Sequence, residues 1–301
     1  MPLLVTGSIG IDTVETPHGR AENVLGGSAV YFSLAAALYA QTRLVAVVGE
    51  DFNHDWFEPL RRREVDLNGL EVRKGSKTFR WTGRYEGAMN EAETLDVALN
   101  VLAENAPPIP DSFQDTRYLF LANTHPALQI EFADRLKNAQ FVMADTMNLW
   151  IKSEHELLLK ALTKVDGLVL NEGEAQLLTD TDNLVRAGRD ILKMGPSVVI
   201  VKKGEHGAIC LYGDEICTMP AFPTEKVIDP TGCGDTFAGA LMGYLTMKGK
   251  HDMDTMRAAM ARGTAAASIV LESFSINASA EATREAVEAR VKTLRSAMEF
   301  A

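Results

Sequence analysis

The sequence predicts an α/β fold built on a mainly parallel, doubly wound sheet, and three observations carry that expectation. Short aliphatic runs without polar interruption recur along the chain, as strands buried on both faces require. Stretches of helical length separate them, and strand–helix alternation favours parallel pairing. A hydrophobic content of 46% in 301 residues supplies a sizeable core, for one large domain or two modest ones.

Taken in order, strands are expected at residues 3–9, 44–48, 118–121, 141–144, 167–170 and 198–201. Helices are expected at 28–39, 53–63, 128–138, 172–178 and 184–194, and then at 236–247, 253–271 and 280–298. One region breaks the alternation. Between Gly69 and Val101, runs such as 71–73, 77–85 and 94–101 alternate polar and apolar residues, the pattern of half-exposed antiparallel strands. A second polar segment, 12–24, follows the first strand. The chain shows no internal repeat or low-complexity tract.

Charge and cysteine usage narrow the function classes. A formal net charge of −11 argues against a nucleic-acid surface. No apolar run reaches membrane-spanning length, and the first residues lack the basic region of a signal peptide. Three cysteines without a C-x-x-C pair fit a reducing compartment, so a cytoplasmic location is expected, with no nucleic-acid or membrane partner. The P-loop pattern G-x-x-x-x-G-K-[ST] is absent, and no G-x-G-x-x-G opens a helix after the first strand.

The most informative segment is Asp229-Pro230-Thr231-Gly232-Cys233-Gly234-Asp235, followed by an apolar helical run. Two glycines around one small residue make a turn that opens a helix. Backbone N–H groups at a helix start are unpaired, and the macrodipole favours negative charge there. Such a turn suits a phosphate or the charge on a phosphoryl group in flight. Asp235, in the first turn, is placed to take a proton from an attacking hydroxyl. The bland reading is a tight turn with a capping acid.

This segment resembles the C-terminal signature of the PfkB/ribokinase-like family of sugar and nucleoside kinases, D-T-x-G-A-G-D. Pro230 replaces the first Thr and Cys233 the Ala, while both glycines and the final Asp are kept. The resemblance extends over nearly the whole chain. It implies a three-layer α/β/α sandwich over residues 1–301 with a small β lid, its strands inserted at about 12–25 and 70–101.

Further matches accompany it. Asp12, and then Gly26, Gly27 and Ser28 ahead of a helix, resemble the family's substrate motif; by that carry-over Asp12 accepts from substrate hydroxyls and the other three line the pocket. Family members commonly carry an Asn soon after these glycines, where this chain has Ala29-Val30-Tyr31. Tyr31 reads as core, with a substrate contact as the alternative. Asn171 and Glu174 match the N-x-x-E motif, which implies that Asn171 lies near the phosphates and that Glu174 orients Mg²⁺ or its water shell. An N-cap would explain the same pair without a ligand. Lys202, Gly204 and Gly207 fall on the strand-turn segment beside the nucleotide, with Lys202 where many members have Thr. Thr231 is placed with the nucleotide, and Asp229 with a possible monovalent-cation site near Ser275. Asp145 and Asn148 loosely match another segment of some keto-sugar kinases.

The implied activity is in-line transfer of the ATP γ-phosphoryl group to a hydroxyl of a small sugar or polyol. Asp235 is the base, the amides of Gly232, Cys233 and Gly234 form the anion hole, and ATP, Mg²⁺ and possibly K⁺ are the cofactors. A nucleoside is the alternative acceptor, with Trp81, Tyr85, Arg80 and Arg84 of the lid available to a nucleobase or to a charged sugar. A homodimer through the lid and a non-catalytic sensor on the same scaffold also stay open. Cys233 reads first as a replacement for an Ala of similar size; a thiol at a helix start also invites a lowered pKa, which makes a reactive residue the secondary reading.

Overall fold

The computed structural model describes residues 1–299. Thirteen strands form two sheets. The large sheet contains β1 (Leu3–Thr6), β4 (Thr42–Gly49), β5 (Asp66–Arg73), β8 (Tyr118–Leu121), β9 (Phe141–Asp145), β10 (Gly167–Asn171), β11 (Val198–Lys202), β12 (Ala208–Tyr212) and β13 (Glu215–Met219). The small sheet contains β2 (Gly10–Thr16), β3 (Gly19–Gly26), β6 (Phe79–Tyr85) and β7 (Ala92–Ala98).

The strand order of the large sheet is β13-β12-β11-β10-β9-β8-β1-β4-β5. Pairing is parallel from β5 to β11 and antiparallel only at β12 and β13. Strands β1, β8, β9 and β10 are buried almost throughout, as continuous aliphatic runs between two helical layers must be. Helices Ser28–Ala36, Cys233–Lys248 and Met253–Val270 pack on one face with the largest apolar cluster. The other face carries a second cluster, including Phe132, Leu158 and Ile191. This is an α/β/α sandwich with a small β lid, β3-β2-β6-β7.

Two expected boundaries are corrected. The run 3–9 is not one strand: β1 ends at Thr6, and Gly10 begins β2, which leaves the large sheet and joins the lid. Asp12 therefore lies within a lid strand. Second, the lid does not begin at residue 70. Residues 66–73 form β5, parallel to β4, at the edge of the large sheet. An edge strand with one face half exposed alternates polar and apolar residues just as a lid strand does, so periodicity could not separate them.

One crossing of helices sets the site. On helix Cys233–Lys248, a Cβ at Gly239 would lie 2.3 Å from the Phe32 carbonyl oxygen, and one at Gly243 would lie 2.6 Å from that of Ala36. The two glycines let this helix cross Ser28–Ala36 backbone against backbone. Both helices begin at the same end of the sheet, so Gly27 and Gly232 converge there.

Candidate active site

The glycine loop before helix Cys233–Lys248 is built by backbone geometry that only glycine adopts easily. Gly232 caps helix Cys233–Lys248 in the left-handed region, at φ 77°. Asp229 holds the loop from behind: one carboxylate oxygen accepts from Thr231 N at 2.9 Å and the other from Ser275 N at 3.1 Å. Ser275 in turn donates to the Leu25 carbonyl at 2.6 Å, which ties the loop to the end of β3. Burial raises the pKa of Asp229, against the lowering by these hydrogen bonds.

Asp12 approaches from the lid. It is 5% exposed, and its Oδ1 has no partner among the described residues. Gly26 is there to admit it, since a Cβ at that position would lie 1.8 Å from Asp12 Oδ2. Burial, then the charges of Asp229 and Asp235, push the Asp12 carboxyl up to about 7. Asp235 is pushed up to about 6 by burial, with Lys202 opposing. The structure thus brings Asp12 and Asp235 to one site, with the amides of Gly232, Cys233 and Gly234 at the same helix start.

Ser28, expected in the pocket lining, is paired with Ser8. Its N–H donates to Ser8 Oγ at 3.0 Å, its Oγ accepts from Ser8 N at 3.1 Å, and the two hydroxyls share a 3.1 Å hydrogen bond. Both polar groups of Ser28 are engaged in clamping the start of its helix to the segment after β1.

On the other side lie the residues expected beside the nucleotide. Asn171 and Glu174 form a capping box: Glu174 N donates to Asn171 Oδ1 and Asn171 N to Glu174 Oε2, each at 2.7 Å. The helix-cap alternative is therefore realised, and it also fixes the Glu174 carboxylate at the strand's carboxyl end. Lys202 is the register partner of Asn171. Its ammonium reaches over the anion loop, 2.6 Å from where a Cβ on Gly234 would stand. Gly204 (φ 54°) and Gly207 (φ 84°) frame the following turn.

Asp145 is the group the sequence underplayed. It is 7% exposed at the end of β9, and its Oδ1 has no partner among the described residues. Burial and the charges of Asp235 and Glu174 raise its pKa well above the usual carboxylate range, while Lys202 pulls the other way. Buried Gln129 donates to the carbonyls of Leu121, at 3.1 Å, and Asp145, at 3.0 Å, which fastens the two strand ends together. Three carboxylates, Asp145, Glu174 and Asp235, thus share one lysine. That placement at a strand's carboxyl end was the available signal.

A profile of the pfkB family carbohydrate kinase matches residues 3–283. The chain belongs to this family. A cytidine kinase of Thermococcus kodakarensis is 30% identical over 254 residues, covering 81% of this chain and 88% of that protein. A nucleoside kinase of Methanocaldococcus jannaschii is 25% identical over 237 residues, covering 77% and 76%. Among solved structures, a Burkholderia thailandensis nucleoside kinase in complex with ADP-inosine superposes with a TM-score of 0.80. It is 18% identical and covers 98% of this chain and 96% of its own.

Membership makes the chain a phosphotransferase of small sugar or nucleoside acceptors on a ribokinase-like scaffold. Within this family member, Cys233 corrects the expectation of a reactive thiol. Its Sγ packs toward the Ala267 carbonyl at 3.6 Å. Burial first, then Asp229 and Asp235, push the thiol up rather than down. The lid arginines are also accounted for: Arg84 pairs with Glu15 at 2.9 Å, and Arg80 binds Asn23 at 3.0 Å and Asp51 at 3.4 Å. No helix among the described residues is long and apolar enough to cross a membrane.

Proposed function

We propose that this kinase transfers the γ-phosphoryl group of ATP to a hydroxyl of a nucleoside. The observation that carries the chemistry is the convergence of Asp12 and Asp235 on one glycine loop, an acceptor anchor and a base on either side of an anion cradle. Asp12 holds acceptor hydroxyls. Asp235 takes the proton of the attacking hydroxyl as the new O–P bond forms and the bond to ADP breaks. The amides of Gly232, Cys233 and Gly234 receive the charge that develops on the transferring group. Lys202, Asn171, Gly204, Gly207 and Thr231 bound the nucleotide side, with Lys202 meeting phosphate as a point charge.

The donor set fits Mg²⁺. Glu174 and Asp145 offer only oxygen, the ligand type Mg²⁺ prefers. Glu174 and Asp145 would hold Mg²⁺ or its water shell, and the ion would supply positive charge to offset that of the phosphates. A monovalent cation such as K⁺ would use Asp229, whose Oδ2 accepts from Ser275 N.

The nucleoside acceptor rests on the cytidine and nucleoside kinases that align over three quarters or more of this chain. It also rests on Ala29-Val30-Tyr31, which leaves no amide for the usual sugar contact. In the same reading, a homodimer through the lid uses edge strand β7, where Leu95 and Val97 are exposed.

The test is ADP release with Mg-ATP across nucleosides, sugars, sugar acids and polyols, beside an Asp235→Asn control and with K⁺ varied. Turnover confined to nucleosides and lost in the control is expected. Turnover on sugars alone would replace the acceptor but keep the chemistry. Nucleotide binding without turnover anywhere would favour a non-catalytic sensor.

A further inference from the structure

The tip of the lid rests on the nucleotide side of the site as well as covering the acceptor side. The turn between β6 and β7, residues 86–91, bends back through two left-handed residues, Gly87 and Met89, each at φ 56°. Met89 is buried in a small cluster with Val14 and Tyr85. Three contacts follow. Asn90 Oδ1 lies 2.5 Å from where a Cβ on Gly204 would stand, and Glu91 Oε1 lies 3.2 Å from the same point on Gly173. At the end of β6, the Tyr85 hydroxyl accepts from Thr231 Oγ1 at 3.4 Å. Gly173, Gly204 and Thr231 belong to three separate elements: the capped helix after β10, the turn after β11 and the anion loop. The root of the same sheet carries Asp12, whose strand β2 is the register partner of β6.

We propose that residues 86–91 are a donor-side contact. The exposed Asn90 carboxamide, turned so that Nδ2 rather than Oδ1 faces Gly204, donates to phosphate oxygens of a nucleoside triphosphate lying there. Because Asp12 and this turn belong to one four-stranded sheet, nucleotide and acceptor binding are linked through it. The inference rests on the kinase reading of the site. An amide suits the task, since it supplies two N–H donors without adding charge beside Asp145, Glu174 and Lys202. Linkage through one lid is reciprocal, so a nucleotide that orders the tip also orders the strand that presents Asp12.

The test uses the full chain with the non-hydrolysable ATP analogue AMP-PNP and Mg²⁺, measuring affinity by calorimetry and amide hydrogen exchange in β2 and β6. The variants are Asn90→Ala and Asn90→Asp, both at an exposed position that leaves the core intact. In the wild type the analogue alone is expected to slow exchange in β2 and β6. Asn90→Ala should weaken the analogue about three- to tenfold, the worth of one hydrogen bond. Asn90→Asp should weaken it further, because a carboxylate faces phosphate, and both variants should lose part of the exchange protection. Wild-type affinity in both variants, or an analogue that binds without slowing exchange in the lid, overturns the proposal and leaves the kinase reading standing. An analogue that fails to bind the wild type removes that reading and the proposal with it.

Discussion

The ring of Tyr31 lies directly beneath Gly232: a Cβ on Gly232 would stand 2.4 Å from two of its ring carbons. The aromatic that follows the Gly26-Gly27 motif is thus the floor of the glycine loop, and the two glycine turns of the site are held by one contact. Gly232→Ala meets both this ring and an unfavourable φ, the latter alone costing on the order of 1–3 kcal/mol. The variant is expected to melt earlier and to lose most turnover. A loop that simply shifted would keep both, and thermal unfolding beside ADP release distinguishes the cases.

Asp235→Asn should lower turnover by about two to four orders of magnitude, the usual contribution of a positioned base. Nucleotide affinity should change little, since the loop amides and Lys202 remain. Single-turnover kinetics and equilibrium binding of ADP, measured on the same preparation, check both halves. Equal turnover in the variant would assign the base elsewhere.

The pH dependences of activity and stability run in opposite directions. Asp235, held near 6, must be ionised to act, so kcat/KM is expected to rise through about pH 6. For stability, Asp12 is raised to about 7 in the fold, above its unfolded value near 4. A carboxyl with a raised folded pKa contributes stability that is present below its unfolded value and lost as pH climbs through about 7. Melting curves of wild type and Asp12→Asn between pH 5 and 8 isolate this: the variant's advantage should grow with pH. A constant difference would exclude the raised carboxyl.

Glu174→Gln separates the cap from the metal. The amide oxygen of Gln still accepts from Asn171 N, so stability should fall by less than about 1 kcal/mol, whereas Asn171→Ala should lose about that much or more. The Mg²⁺ concentration for half-maximal rate should rise in Glu174→Gln. An unchanged Mg²⁺ requirement would leave Glu174 a capping residue alone.

Cys233→Ala should retain turnover within about twofold, since the thiol fills space at the helix start and is held protonated by burial. Iodoacetamide at neutral pH should label it slowly in the folded chain, as intact-mass spectrometry would record. Rapid, inactivating labelling would restore the reactive thiol.

Local chemistry made much of this protein legible from the chain alone. The interior strands, the glycine loop ending at Asp235 and the Asn171–Glu174 cap each depend on residues adjacent in sequence, so composition and spacing report them. Resemblance supplied the lid, but not its limits: β5 and the lid strands share one alternation, and only pairing with β4 assigns Asp66–Arg73 to the large sheet.

What no spacing could decide is which distant groups meet. Ser28 turns to Ser8, Tyr31 goes under Gly232, Asp145 joins Glu174 and Asp235 around Lys202, and the lid tip reaches Gly204. Each is a contact between separate elements, set by the glycine-mediated helix crossing and by strand order. The sequence alone therefore determined the fold class and the glycine turn that ends at Asp235. Tertiary structure decided how buried each carboxylate is and which charges surround it, because desolvation and Coulomb energy depend on distance in space and not along the chain.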